Sequence, residues 1–332
     1  MPVLDANEIR FFSGQSHPEL AAGIASYLSI PLETTIFSRF SNDNLYIQLG
    51  ASVRGRAVFI VQSLIPPVSE HLLELLMMLD IARGAGAHEI HAIIPYFSYA
   101  RSDKKDAPRI SITARLIADL LQTAGATHVM TMTLHSPQVH GFFSVPTDPL
   151  TARPLFARHF LEQSPSPHDT IVVAPDMGRA KSAARFAARL GLSVAAADKR
   201  RLADDRVWIG ESVARQVKGF RRALIYDDEI ATGGTVLELA RLLLEAGISE
   251  LALICTHGLF TDNALEHLVA IPQLTEIVTT DTVPIPPAKR VDCLKIISVA
   301  PVFGEAIWRN YNRQSIGDLF SFHDDQKEDS TA

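Results

Sequence analysis

Cysteine is almost missing from this chain, with two, Cys255 and Cys293, in 332 residues. So small a number excludes a disulfide scaffold. Cys255 lies in an apolar run and Cys293 in Val-Asp-Cys-Leu, so both read as reduced structural residues of a cytoplasmic protein. Long apolar runs are missing too. None approaches the ~20 residues that cross a bilayer, and Met1–Glu8 shows no basic-then-apolar secretion signal, so no membrane partner is expected. Positive charge is not in excess: 31 Lys and Arg against 37 Asp and Glu leave a net charge of −6, which argues against binding nucleic acid by bulk charge. The common phosphate fingerprints, G-x-x-x-x-G-K-[ST] and G-x-G-x-x-G, are absent, so any phosphate handling rests on other residues.

What is present is an ordinary globular composition, 47% hydrophobic and 20% charged, in a chain long enough for two domains or one large one. Short apolar runs alternate with helical periods throughout. Strands are expected at Ile9–Phe12, Ala57–Gln62, Glu89–Pro95, His128–Thr133, Thr170–Ala174, Ala223–Tyr226, Glu250–Thr256 and Glu276–Thr280. Helices are expected at His17–Leu28, Ser69–Arg83, Ile112–Ala124, Ala180–Leu190, Thr235–Ala246 and Asn263–His267. Such alternation predicts an α/β protein with mainly parallel sheets flanked by helices. The chain also repeats itself: Gly55-Arg-Ala-Val-Phe-Ile-Val-Gln, a helix, then Gly86-Ala-His-Glu resembles Arg222-Ala-Leu-Ile-Tyr-Asp-Asp, a helix, then Gly247-Ile-Ser-Glu. Two similar domains follow, residues 1–149 and 150–322, meeting in the proline-punctuated stretch Pro146–Arg153. Residues 323–332 are polar and read as a disordered tail.

The most informative stretch is 222–239. A buried strand, Ala223–Tyr226, ends in Asp227 and Asp228, and the turn Thr232-Gly233-Gly234-Thr235 opens a helix whose Thr235 and Glu238 have capping-box spacing. Glycines let the backbone approach a ligand, and free N–H groups at a helix start attract anions. Two acids beside such a cradle suit a phosphate whose carrier also has hydroxyls or a bound Mg²⁺. The first copy has Gln62-Ser63-Leu64-Ile65-Pro66-Pro67 instead. Of two basic clusters, Lys199-Arg200-Arg201 reads equally as a solvated turn or as a polyphosphate clamp, whereas Arg101-Ser-Asp-Lys-Lys-Asp-Ala-Pro-Arg109 could clamp ATP phosphates but by itself is more often a solvated loop. His135 and Asp176 each sit just past a strand, where both have the chemistry to engage Mg²⁺ on a nucleotide, although spacing alone does not bring them together.

The ordered set of motifs resembles the ribose-phosphate pyrophosphokinase family. It comprises Arg39-Phe-Ser, Ser52-Val-Arg-Gly, Pro95-Tyr-Phe-Ser-Tyr-Ala-Arg, Leu134-His135, Gly141-Phe-Phe, Pro175-Asp-Met-Gly, Asp198-Lys-Arg-Arg, Asp227-Asp228 with Thr-Gly-Gly-Thr, and Thr256-His-Gly. The resemblance implies two phosphoribosyltransferase-like domains that move the β,γ-diphosphoryl group of Mg-ATP to ribose 5-phosphate. By position it implies that Thr232, Gly233, Gly234 and Thr235 cradle the sugar phosphate and that Asp227 and Asp228 hold its hydroxyls. Lys199 and Arg201, on a flexible loop, would stabilise the transferring group, with His135 as a further catalytic residue. His135 and Asp176 would hold Mg²⁺. Phe40, Asn42, Asn44, Arg101, Ser102 and His135 would bind ATP. Ser52, Arg54 and Ser315 match a regulatory phosphate site. A homo-oligomer, commonly a hexamer, is implied as well. The chain departs from the family at Ala231, which replaces an Asp, at the Phe40-Ser-Asn-Asp-Asn44 loop, which loses two acids, and at Thr133 and Ser102. Ala231 leaves a phosphoribosyltransferase as an alternative, and the altered loop leaves a non-catalytic regulatory paralogue.

Overall fold

The computed structural model describes residues 4–201, 207–209 and 212–320, with the backbone alone at 199–201 and 207–209. The chain divides into two compact units, 1–151 with 298–321, and 152–297. In chain order the first unit contains β1 (Ile9–Ser13), α1 (Pro18–Leu28), β2 (Leu32–Glu33), β3 (Thr35–Arg39), β4 (Leu45–Leu49), β5 (Ala57–Val61), α2 (Val68–Gly84), β6 (Glu89–Ile94), α3 (Thr113–Ala124), β7 (His128–Met132) and β8 (Thr147–Leu150). The second contains α4 (Arg153–Glu162), β9 (Thr170–Ala174), α5 (Ala180–Leu190), β10 (Ser193–Ala196), β11 (Lys199–Arg201), β12 (Val207–Ile209), α6 (Ser212–Gln216), β13 (Arg222–Ile230), α7 (Gly234–Glu245), β14 (Glu250–Gly258), α8 (Ala264–Val269), β15 (Leu274–Thr280) and β16 (Leu294–Ile297). Helix α9 (Ala300–Tyr311) then returns to the first unit.

Each unit is built on a six-stranded parallel sheet. The orders are β2-β1-β5-β6-β7-β8 and β10-β9-β13-β14-β15-β16. Counted within each unit, both read second, first, third, fourth, fifth, sixth. Each also inserts an antiparallel hairpin, β3-β4 or β11-β12, between its second and third strands. The central strands run almost wholly apolar because helices cover both faces. β9 is buried at every residue, and separate cores form around Ile60, Leu79 and Ile94 in the first unit and around Ile225, Leu239 and Leu253 in the second.

The tail corrects the expected partition. Residues 298–321, assigned from sequence to the second domain, pack on the first unit. Gly304 on α9 lies against the ring of Tyr27 on α1, where a side chain would collide, and Tyr27 donates to Glu305 at 3.3 Å. Leu150 bridges to Phe320, and the Thr151 N–H donates to the Leu319 carbonyl at 3.0 Å. The expected tail 323–332 lies outside the described residues. Both cysteines are free, and burial pushes the Cys255 thiol up to about 12, so it stays protonated at neutral pH.

Candidate active site

In a sheet of this order the chain leaves the first and third strands in opposite directions, which opens a crevice at their carboxyl ends where α/β proteins bind ligands. In the second unit the flanking strands are β9 and β13. After β9 come Pro175, Asp176, Met177 and Gly178. Asp176 Oδ1 accepts the Arg179 N–H at 3.1 Å, which folds this turn back on itself, while Met177 projects into solvent. Arg179 Nε then reaches Asp228 Oδ1 at 3.3 Å, with both side chains largely buried, so an ion pair spans the crevice.

β13 is longer than its sequence suggests. It was expected to end at Tyr226, before the acids, yet it continues through Asp227, Asp228, Glu229 and Ile230. The reason is β14, which supplies partners to the same length: Asp227 opposes Cys255, Glu229 opposes His257 and Ile230 opposes Gly258. The ends of β14 and β15 are pinned in turn by buried polar groups. His257 Nδ1 is 2.9 Å from Thr282 Oγ1, and the Thr280 and Thr282 hydroxyls both donate to the Thr256 carbonyl. Beneath the acids, the Tyr226 ring stacks on Phe186 at 4.7 Å between centroids.

The diacid is therefore held rigidly inside protein. Asp228 and Glu229 are buried, and Asp227 Oδ1 accepts the Asp228 N–H at 2.8 Å. Asp227 keeps partial solvent contact, but dense surrounding protein strips its hydration. Its carboxyl is pushed well above the usual carboxylate range, first by this burial and then by Asp228 beside it, with Arg179 pulling the other way. The cation spanning the crevice reduces the repulsion between the adjacent acids.

The cradle follows directly. Gly233 is the N-cap of α7 at φ 79°, a left-handed conformation that favours glycine. The N–H groups of Leu259 and Phe260 bind the Ile230 carbonyl, and that of Thr261 binds the Ala231 carbonyl, so the segment after β14 braces the turn. The capping box expected between Thr235 and Glu238 does not form. The helix starts one residue earlier, at Gly234, with no side-chain cap, and Glu238 pairs with Arg241 at 2.7 Å. Asp176, Asp227, Asp228 and the Thr232–Thr235 turn thus share the carboxyl ends of the two strands beside the crevice. Arg179, which the motifs do not single out, joins them. Its one signal in the sequence is its place as the basic residue completing Pro175-Asp-Met-Gly-Arg.

The other expected site residues are dispersed. Lys199 and Arg201 were expected on a loop, but the backbone there forms β11, paired antiparallel with β12; their side chains lie outside the described residues. In the first unit Phe40, Asn42 and Asn44 stand exposed on the β3-β4 turn, which is closed by the Phe40 N–H donating to the Asn44 carbonyl at 2.9 Å. Arg101 and His135 follow the neighbouring strands β6 and β7 and leave the same edge of that sheet. Ser102 braces its own loop. Its hydroxyl accepts the Thr113 N–H and donates to the Ser111 carbonyl, each at 3.3 Å, tying the loop to the start of α3. Ser52 and Arg54 line a cavity of about 290 Å³ with Ile81 and Ala85, whereas Ser315 is not in its lining. His135 and Asp176 belong to different units, and among the described residues no three metal-ligating side chains cluster.

Comparison with known proteins adds the family. Residues 9–125 match the N-terminal domain of ribose phosphate pyrophosphokinase, and residues 209–321 match the phosphoribosyl synthetase-associated domain. A putative ribose-phosphate pyrophosphokinase of Streptomyces coelicolor is 53% identical over 313 residues, covering 94% of this chain and 98% of its own. The ribose-phosphate pyrophosphokinase of Deinococcus radiodurans is 42% identical, covering 93% and 97%. A crystal structure of phosphoribosylpyrophosphate synthetase from Mycobacterium smegmatis superposes with a TM-score of 0.84 at 35% identity, covering 92% of this chain and 99% of the other. Identity of this order over nearly the full length of both partners, together with the shared fold, shows that the chain belongs to the ribose-phosphate pyrophosphokinase family.

Proposed function

We propose that the chain is a ribose-phosphate diphosphokinase acting on ATP and ribose 5-phosphate, with the sugar site in the crevice of the second unit. The observation that carries this assignment is the Asp227-Asp228 pair, with Asp228 buried, lying beside a Gly-Gly helix start at the switch point of the sheet. In the reaction the C1 hydroxyl oxygen of the sugar attacks the β-phosphorus of ATP. The bond from that phosphorus to the oxygen bridging it to the α-phosphate breaks, AMP departs, and the hydroxyl proton is lost. Such chemistry needs positioning and charge neutralisation more than covalent participation.

The roles follow from chemistry. The N–H groups opening α7, with Thr232 and Thr235, hold the sugar 5-phosphate. Asp227 and Asp228 accept from the ribose hydroxyls, in an orientation that Arg179 fixes through Asp228. Lys199 and Arg201 serve the transferring phosphates. Phe40, Asn42, Asn44, Arg101 and His135 serve the nucleotide. Mg²⁺ is held by few protein ligands when substrate phosphates supply the rest, and the Asp176 carboxylate at the crevice is a donor of the required kind, with His135 as a second. When bound, the ion neutralises phosphate charge. Exposed Ile36, Phe40 and Tyr46 on one hairpin support a homo-oligomer, a hexamer by family resemblance, and the reaction is assigned to the cytoplasm.

Incubation with Mg-ATP and ribose 5-phosphate, followed by phosphorus NMR, should show AMP and a new diphosphate ester. ADP as the product, or no nucleotide turnover, would overturn the assignment.

A further inference from the structure

The amino ends of the two sheets share one register but differ at two of the matched positions. In the second unit Arg222 opens β13 opposite Glu250 on β14. Its guanidinium reaches Glu250 Oε1 at 2.9 Å, Glu276 Oε1 at 3.0 Å and Gln163 Oε1 at 2.9 Å, and lies 5.9 Å over the Phe160 ring. His159 on α4 closes the far side, 2.8 Å from Glu276. In the first unit the same register pairs Ala57 with Glu89, and His128 takes the strand position of Glu276. Ala57 therefore stands where Arg222 stands. This register moves the correspondence one residue from the alignment of the two repeats in sequence, which matches Arg56 with Arg222.

The missing arginine leaves space. A cavity of about 730 Å³ opens at the floor of the first unit, lined among others by Glu8, Ala57, Glu89, His91, His128 and Tyr311. Glu89 faces imidazoles in place of an arginine, with His91 Nε2 at 3.3 Å and His88 Nε2 at 4.0 Å. Glu8 accepts from the Tyr311 hydroxyl at 2.7 Å. His91 is buried between Phe59 and His128, and its Nδ1 has no hydrogen-bond partner. Burial, followed by repulsion from His128, lowers its pKa to about 4, so it is neutral at physiological pH. His128 is in turn held by Asp148 at 2.5 Å. Two carboxylates, Glu8 and Glu89, thus meet one fixed cation, Arg313, in the lining.

We propose that this cavity is a binding site for a small guanidinium-bearing ligand, whose planar cation takes the place in the first unit that Arg222 fills in the second. The matched position of Ala57 provides the room, Glu89 provides the carboxylate, and the paired unit displays the occupied form. A planar fork of donors suits such a carboxylate better than a compact ammonium does. The volume is that of an ordinary small-molecule site.

Calorimetric titration of the full chain with methylguanidinium, with methylammonium as the charge-only control, tests this site. Saturable methylguanidinium binding, stronger than that of methylammonium, is expected. Glu89→Gln should weaken it by about tenfold or more while leaving AMP-forming turnover within about twofold, since Glu89 lies at the end of the sheet away from the reaction edge. Ala57→Arg should abolish binding and raise Tm by supplying the cation internally. Absence of saturable binding, equal binding of the two probes, or unchanged binding in Glu89→Gln would overturn the proposal. Glu89 is half-exposed and supports no core packing, so that variant decides the matter even where Ala57→Arg does not fold.

Discussion

The two units share a sheet order yet treat the carboxyl end of the third strand in opposite ways. In the matched register Gln62 and Ser63 of the first unit stand where Asp227 and Asp228 stand in the second. Gln62 is fully buried and neutral. Its Oε1 accepts the Ser16 hydroxyl at 2.7 Å, and its Nε2 donates to Glu74 at 2.6 Å and to the His71 carbonyl at 3.1 Å. The Ser16 hydroxyl oxygen accepts the Ser63 N–H at 2.8 Å, and Gly14 lies too close to Gln62 to carry a side chain. The crevice of the first unit is therefore plugged by a satisfied hydrogen-bond network. The crevice of the second is lined by acids that are adjacent, poorly hydrated and only partly neutralised by Arg179. One sheet plan thus supports a stable end and a reactive end. The difference lies in whether the polar groups satisfy one another or wait for a ligand.

Substitutions that break this contrast should differ in what they damage. Asp228→Ala removes a carboxylate from the sugar site, and AMP-forming kcat/KM should fall on the order of 10³-fold in steady-state assays. Arg179→Ala leaves the diacid buried without its cation. Chemical denaturation should show a loss of about 3–5 kcal/mol, the cost of breaking a buried pair from one side. The KM for ribose 5-phosphate should rise as well, because the Arg179 contact that helps to orient Asp228 is lost. Gln62→Ala in the other unit should cost about 1–3 kcal/mol by stranding Glu74 and Ser16, with kcat unchanged once the protein is folded. Equal losses of activity from Gln62→Ala and Asp228→Ala would refute the division of labour between the two ends.

Much of the sheet framework was legible in the sequence because central strands are continuous apolar runs and helices carry the complementary period. Thr170–Ala174 and Ala180–Leu190 were read to the residue. The two hairpins were not, because β3 and β4 are short and largely exposed, and β11 lies in a basic segment that reads as a loop. The extension of β13 was hidden for a related reason. Consecutive acids look like a strand end unless it is known that β14 also runs on to Gly258. The diacid and the Gly-Gly turn could be found because chemistry and local conformation coincide there. Arg179 could not, because its partner is 49 positions further on and only the parallel pairing of β9 with β13 brings them together.

The smallest predicted effect is also the sharpest test of the reactive end. The folded chain holds the Asp227 carboxyl well above its ordinary range, through burial first and the Asp228 charge second. The folded state therefore binds a proton more tightly than the unfolded state, and the stability gradient with pH is negative across that window. The contribution is fully present below the ordinary carboxylate pKa of about 3.9 and is lost as pH rises through the raised folded value. An amide at this position has no charge to bury. Asp227→Asn should therefore raise Tm relative to the parent, with a gain that grows as pH rises above the ordinary carboxylate range in scanning calorimetry. The same substitution should weaken ribose 5-phosphate binding, because the amide nitrogen presents donors where the sugar hydroxyls need an acceptor. The matching change in the first unit, Gln62→Glu, introduces a charge into a neutral buried network next to Glu74, and its Tm should fall as pH rises over the same range. Stabilisation by removing charge at one end and destabilisation by adding it at the other would tie the contrast to electrostatics. Parallel responses would mean that side-chain volume, not charge, distinguishes the two crevices.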